Sequence, residues 1–251
     1  MNAKYYFKRI INNKVKLGVI LLIFIFPVID ILLMLNDIHN GGSALQPDLA
    51  SFLSSTIFNG AQILLFWYLP LYFLLIAADD CIEDFKTGYK NILITKWGKK
   101  KYLRVNIIKG FVIGFMVIFL TLALNMILTQ IAFAGGTYTG FDSDNGQINE
   151  TLQYPFLTNC IYILVASFIS GVVSMGAVAV ALALHNRYLV YPIVFILWYI
   201  PSTVNKSIIL ALQPFTEYSL SDVLPTVLIV IAINIAAVVF ACIKVIKYEQ
   251  V

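Results

Sequence analysis

Residues able to do chemistry are sparse in this chain of 251 amino acids, and they never gather. Cys81, Cys160 and Cys242 are too scattered for a disulfide framework or a zinc site, and His39 and His185 stand far apart without metal-ligand spacing. No GxxxxGK-S/T phosphate loop, HExxH pair or GxSxG elbow occurs. A hydrolase working inside a membrane needs a nucleophile with its base, or a metal cluster. Neither is present in the apolar runs, so no catalytic role is expected of this chain.

Two groups of polar residues remain. Asp30, Gln62, Asn125, Gln130 and Asn234 interrupt otherwise apolar runs. Asp30 either lines a substrate path, because charges at membrane depth face cavities, or reaches a nearby interface. The neutral four either line that path or hydrogen-bond between helices. They are too few for a proton relay or a hydrated pore, which leaves a path for something amphipathic or lipid-like. The second group is an acidic turn, Asp79, Asp80, Glu83 and Asp84, followed by Gly88, an apolar stretch over residues 89–95, and Trp97-Gly98-Lys99-Lys100-Lys101.

The elements that position them follow from composition. The chain is 60% hydrophobic and 12% charged, with mean hydropathy +0.87. Soluble domains carry about 25% charge, so a cytosolic enzyme, a nucleic-acid-binding module and a disordered chain are all excluded. The excess apolar residues fall in bilayer-length runs. They predict an all-α membrane domain of six spans, at about residues 17–35, 61–78, 107–134, 159–184, 189–204 and 223–243. The first is expected to be a retained helix rather than a cleaved leader, since no small-residue cleavage site follows it.

Sixteen of the seventeen Lys and Arg residues lie before the first span, between the second and third, in the turn after the fourth, or after the sixth. The opposite loops hold Lys206 and most of the remaining acids. Basic residues resist translocation, so both termini are expected in the cytoplasm. Residues 1–16 then read either as an amphipathic lead-in at the headgroup level or as a plain positive anchor. Residues 79–106 form the one substantial cytoplasmic connection, longer than a turn needs. It mixes charge with apolar side chains expected to be exposed (Tyr89, Ile92, Leu93, Trp97), and reads either as a docking surface or as a solvated linker. Residues 205–222 hold an apolar stretch too short to cross, expected to dip into the outer leaflet or to cap the bundle. Gly110 and Gly114, with Ser167 and Gly171, are spaced for close helix packing.

This layout resembles the membrane-spanning subunit of type-2 ABC exporters, the ABC-2 permeases. The likeness covers essentially the whole chain: lead-in helix, long connection between spans two and three, tight turn at residues 185–188, and re-entrant stretch. Glu83-Asp84-Phe85-Lys86-Thr87-Gly88, the apolar stretch, the basic cluster and Lys109 are similar to that family's coupling region. The resemblance implies an ATPase subunit on another chain, carrying ATP and Mg2+, with no cofactor here. It also implies docking through Glu83, Asp84, Gly88, Tyr89, Ile92, Leu93 and Trp97, and a second permease subunit, identical or similar. Size and a Lys/Asn/Ile-rich composition resemble permeases that export antimicrobial peptides such as lantibiotics, or protect against them. The reading from a different class is a non-transporting immunity or sensor protein that sequesters a peptide.

Overall fold

The computed structural model describes residues 8–41, 60–136, 154–203, 207–212 and 220–248, and every regular element among them is helical. Helix α1, Lys14–His39, is started by Asn13, whose side-chain oxygen accepts from the backbone N–H of Val15 at 3.0 Å and of Lys16 at 3.3 Å. Such a cap satisfies amides that the first turn leaves without helical partners. Residues 8–11 are also helical, the last residues of the expected lead-in already open α1, and residues 1–7 lie outside the described residues.

Next come α2 (Gly60–Trp67), α3 (Leu69–Phe73), a π-helical turn (Leu74–Ala78), α4 (Asp79–Lys86) and α5 (Tyr89–Trp97). The long helices α6 (Lys99–Ala132) and α7 (Pro155–Leu184) follow, then α8 (Arg187–Thr203), the single turn α9 (Ile208–Ala211) and α10 (Leu220–Ile243) with a π-helical end, Lys244–Tyr248.

Among the described residues, four helical stretches are long and apolar enough to cross a membrane: Lys14–His39, Lys99–Ala132, Pro155–Leu184 and Asp222–Lys247. The runs expected at 61–78 and 189–204 differ, and proline is the common feature. Pro70 has no N–H, so the carbonyl four residues earlier, on Phe66, loses its helical donor and the run breaks at Tyr68 into α2 and α3. The π-helical turn breaks it again before Asp79. Helix α8 is one piece but spans only 17 residues and contains Pro192 and Pro201. Helix α6 starts at Lys99, so the last third of the expected 79–106 connection is already part of a long helix.

Helix α7 is the central post, with almost every residue from Ser170 to Ala183 buried. Between apolar helices in lipid, close contact replaces the hydrophobic drive, and small residues permit it. At Gly114 an added Cβ would lie 2.5 Å from the Ser174 Cβ and 2.7 Å from the Ser170 carbonyl oxygen; at Gly110 it would lie 2.8 Å from Val178. Ser174 spans the same seam, its hydroxyl donating to the Gly110 carbonyl at 2.8 Å. Gly171 receives Phe111 in the same way. Ser167 is buried too, but its hydroxyl donates to Ile163 of its own helix at 2.6 Å. The main core gathers around Ile23, Phe66, Tyr72, Leu122, Ile163 and Trp198. From α9, Ile208, Ala211 and Leu212 pack into it, so the described part of residues 205–222 caps the bundle.

Candidate functional site: a charged junction and its groove

The charged end of the bundle is organised by two adjacent carboxylates at the start of α4. Asp80 takes Lys16 from α1, with Lys109 of α6 at 3.4 Å and Arg9 at 3.2 Å. Arg9 reaches on to Asp84 at 2.8 Å and Glu83 at 3.7 Å. Asp79 receives Arg187, from the first turn of α8, in a two-pronged pair of 2.5 and 2.6 Å. Planar guanidinium against carboxylate in this fork geometry is a strong, directional contact. Two consecutive residues thus fasten the connection to the chain before α1, to α1, to α6 and to α8.

Asp80 and Lys16 are only 3% and 2% exposed. Burial on its own would favour the neutral acid. The cations Lys109, Lys16 and Arg9, with the hydrogen bond from Lys16, overrule it and hold the Asp80 carboxyl below its ordinary value. Burial pushes the thiol of neighbouring Cys81 up to about 11, which makes it inert.

Further along, α4 ends where the Thr87 hydroxyl donates to the Glu83 carbonyl at 2.9 Å and Gly88 turns left-handed at φ 72°. A side chain at Gly88 would be strained by that backbone, although space around it is open. Lys90, on α5, sits 3.0 Å from the Nε2 of His185, and the Phe85 ring stacks on the His185 ring at 4.0 Å. The connection is therefore also held to the tight turn between α7 and α8.

A groove of about 690 Å3 opens between residues 8–13 and helices α4 and α5. Arg9, Asp80, Glu83, Tyr89 and Ile92 are among its lining residues. Sequence neighbours separate here. Glu83 stays half exposed on the groove, while Asp84 is turned inward onto Arg9. Ile92 is 62% exposed, whereas Leu93 is 6% exposed and belongs to the inner core. Tyr89 and Trp97 are half-buried against that core. Of the apolar side chains expected on the surface, Ile92 is the one presented outright; Leu93 is corrected to a core residue.

The residues expected along a path do not form an open one. Asp30 is 2% exposed, so it does not reach out of the bundle to an interface. Asn125 is fully buried and Gln130 half-buried on α6; Gln62 lies in α2. Helices α6 and α7 run antiparallel with Gly110 beside Ser174, which sets Asn125 level with Asn159, also fully buried. This polar level lies between the main core and a small apolar cluster of Ile31, Met34 and Phe133. Asn234 packs its amide against Gly176 on α7 and donates to Val230 at 2.8 Å. Sequence reasoning missed Asn159, Gly176 and above all the basic partners Arg9 and Lys16, which read as mere positive flanks, and it set Lys109 in the coupling region without its partner Asp80. Their one signal was Lys16 and Lys109 bordering apolar runs at the same end as an acidic turn. Among the described residues no three metal-ligating side chains come together.

Residues 21–250 match the family described as "Protein of unknown function (DUF2705)". The chain is a member of the DUF2705 family. It is 35% identical over 223 residues to the uncharacterized protein YybM of Bacillus subtilis (strain 168), an alignment covering 86% of this chain and 87% of that protein. No solved structure matches this DUF2705 chain.

Proposed function

We propose that this chain is the permease subunit of an ATP-driven exporter of the type-2 ABC kind, moving an amphipathic peptide or lipid-like cargo across a bacterial cell membrane. In this reading the chain crosses six times, the two proline-broken runs pairing with their neighbours to complete the spans, and both termini are cytoplasmic. The basic bias of one end supports that orientation. Power comes from a separate ATPase subunit, and a second permease subunit completes the path.

One observation carries the reading. The connection from α4 to α5 is a pair of short helices fastened by Asp79 and Asp80 to α8, α1 and α6, while Glu83 and Ile92 remain presented at its groove. A push on such a piece is delivered to three long elements together. The closed polar level at Asp30, Asn125 and Asn159 fits a path that opens only transiently. A non-transporting immunity protein has no need of this linkage.

A photo-crosslinking amino acid placed at Ile92 tests it in intact membranes of the native host. The expected product is an adduct with a subunit that carries a phosphate loop. Adducts with lipid alone, or none, overturn the proposal.

A further inference from the structure

The same end of the molecule carries a second surface, on the side of α6 turned away from α7. Among the described residues this end holds fifteen Lys and Arg side chains against four carboxylates, Asp79, Asp80, Glu83 and Asp84. Those four are engaged by Arg9, Lys16, Lys109 and Arg187. No described carboxylate pairs with Lys100, Lys101 or Arg104, and all three are exposed in the first two turns of α6.

The line they begin continues along the helix. From Lys100 and Arg104, steps of four residues lead to Ile108, Val112, Met116 and Leu120, which are 54%, 46%, 50% and 53% exposed. Side chains four apart stack on one helix face. Leu103, Asn106, Gly110 and Gly114 lie on the other face, buried. Each such step also turns about 40° around the axis, so these side chains form one ridge winding along α6, cationic for about two turns and apolar for the next several. That is the chemical profile of an anionic phospholipid, with phosphate at the cations and acyl chains along the apolar rows.

We infer that the exposed face of α6 is a binding site for an anionic phospholipid, whose headgroup sits on Lys100, Lys101 and Arg104 and whose chains lie along Ile108, Val112 and Met116. The charge of this surface decides the class of occupant. A zwitterionic headgroup brings a phosphate already offset by its own ammonium and so leaves the net charge of three adjacent cations unneutralised, and a second copy of this chain would oppose like charge to like. The inference rests on the reading that α6 crosses a bilayer, and adds which lipid it selects.

The test uses the full chain in nanodiscs containing equal phosphatidylglycerol and phosphatidylcholine, with retained lipid counted by native mass spectrometry. Wild type is expected to keep phosphatidylglycerol preferentially. A K100Q/K101Q/R104Q variant is expected to lose that preference by roughly 100-fold, at about fivefold for each basic residue. A K8Q/K14Q/K86Q variant removes the same net charge from exposed positions at the same end and is expected to keep the preference. Equal loss in both variants, or loss in neither, overturns the site. Inorganic phosphate added to phosphatidylcholine discs is expected to leave thermal unfolding unchanged; a stabilisation matching that of phosphatidylglycerol would make this a free-anion site and overturn the inference. A chain that enters discs of neither composition overturns the transmembrane reading itself, a failure distinct from lost lipid preference.

Discussion

The indole N–H of Trp198 donates to the backbone carbonyl of Phe66 across 3.1 Å of buried space. This is the carbonyl that Pro70, four residues on, leaves without a helical donor. A tryptophan of α8 therefore repairs the break between α2 and α3, and the two proline-interrupted runs lean on each other. In an apolar interior an unmatched carbonyl is costly, so the pair links the two weakest helical runs of the bundle.

Replacing Trp198 by Phe keeps the apolar bulk and removes the donor. Thermal unfolding in detergent is expected to show a loss of about 1–3 kcal/mol, the cost of a stranded buried acceptor. In a Pro70→Ala background the amide at position 70 can serve Phe66, so the same substitution is expected to cost about 1 kcal/mol less. Equal penalties in the two backgrounds would show that the bond does not compensate the proline.

Asp80→Asn removes the carboxylate that Lys16 is buried against. Stripping one partner from a buried ion pair typically costs about 3–5 kcal/mol, because the remaining charge stays desolvated. A Lys16→Met change in the same chain should recover a large part of that loss. Glu83→Gln, half exposed only one turn away, should change stability by less than about 0.5 kcal/mol. Chemical denaturation of the four proteins compares them directly.

The same carboxylate sets a pH response. Its folded value lies below the ordinary one near 3.9, so the unfolded chain binds the proton more readily. The Asp80 contribution to stability is then full above about pH 4 and is lost as pH falls from there through the lowered folded value. Unfolding midpoints measured from pH 6 down to pH 3 should drop more steeply for wild type than for the Asp80→Asn/Lys16→Met double variant. Parallel curves would contradict the assignment.

Packing along α7 gives a sharper contrast. Gly114→Ala drives a Cβ to within 2.5 Å of Ser174 and 2.7 Å of a carbonyl, and should destabilise by about 1–3 kcal/mol. Gly18→Ala meets nothing within 4 Å and should be neutral or slightly stabilising, as alanine favours a helix. Two alanines with equal melting temperatures would place the α6–α7 seam elsewhere.

Much of the scaffold was legible because bilayer-length apolar runs and paired small residues are local signals. Lys14–His39, Lys99–Ala132 and Pro155–Leu184 follow from composition, and the Gly110–Gly114 pair from spacing. The site was less legible. Glu83 and Asp84 look alike in sequence, yet Arg9, some 75 positions away, holds Asp84 at 2.8 Å and Glu83 only at 3.7 Å, with Asp84 turned inward and Glu83 half exposed. Ile92 and Leu93 are adjacent and similarly apolar, and their opposite fates are decided by the inner core against which α5 lies. Lys16 and Lys109 count equally as topology markers, yet both are pulled into the interior by one carboxylate on a third helix. Breaks at Pro70 and at the π-helical turn shorten a run that hydropathy reads as continuous, because backbone hydrogen bonding is invisible to it.

The central claim is that this chain takes its power from nucleotide hydrolysed on another subunit, delivered at the groove beside α4 and α5. Its most direct test is vanadate-sensitive ATP hydrolysis by the assembly purified from host membranes through a tag on this chain, compared with the same preparation carrying Glu83→Lys and Ile92→Asp. The account predicts ATP hydrolysis in the first and its loss, with the hydrolysing subunit, in the second, while the variant chain remains folded in the membrane. A purified chain that carries no ATP hydrolysis, or hydrolysis untouched by both substitutions, would contradict it.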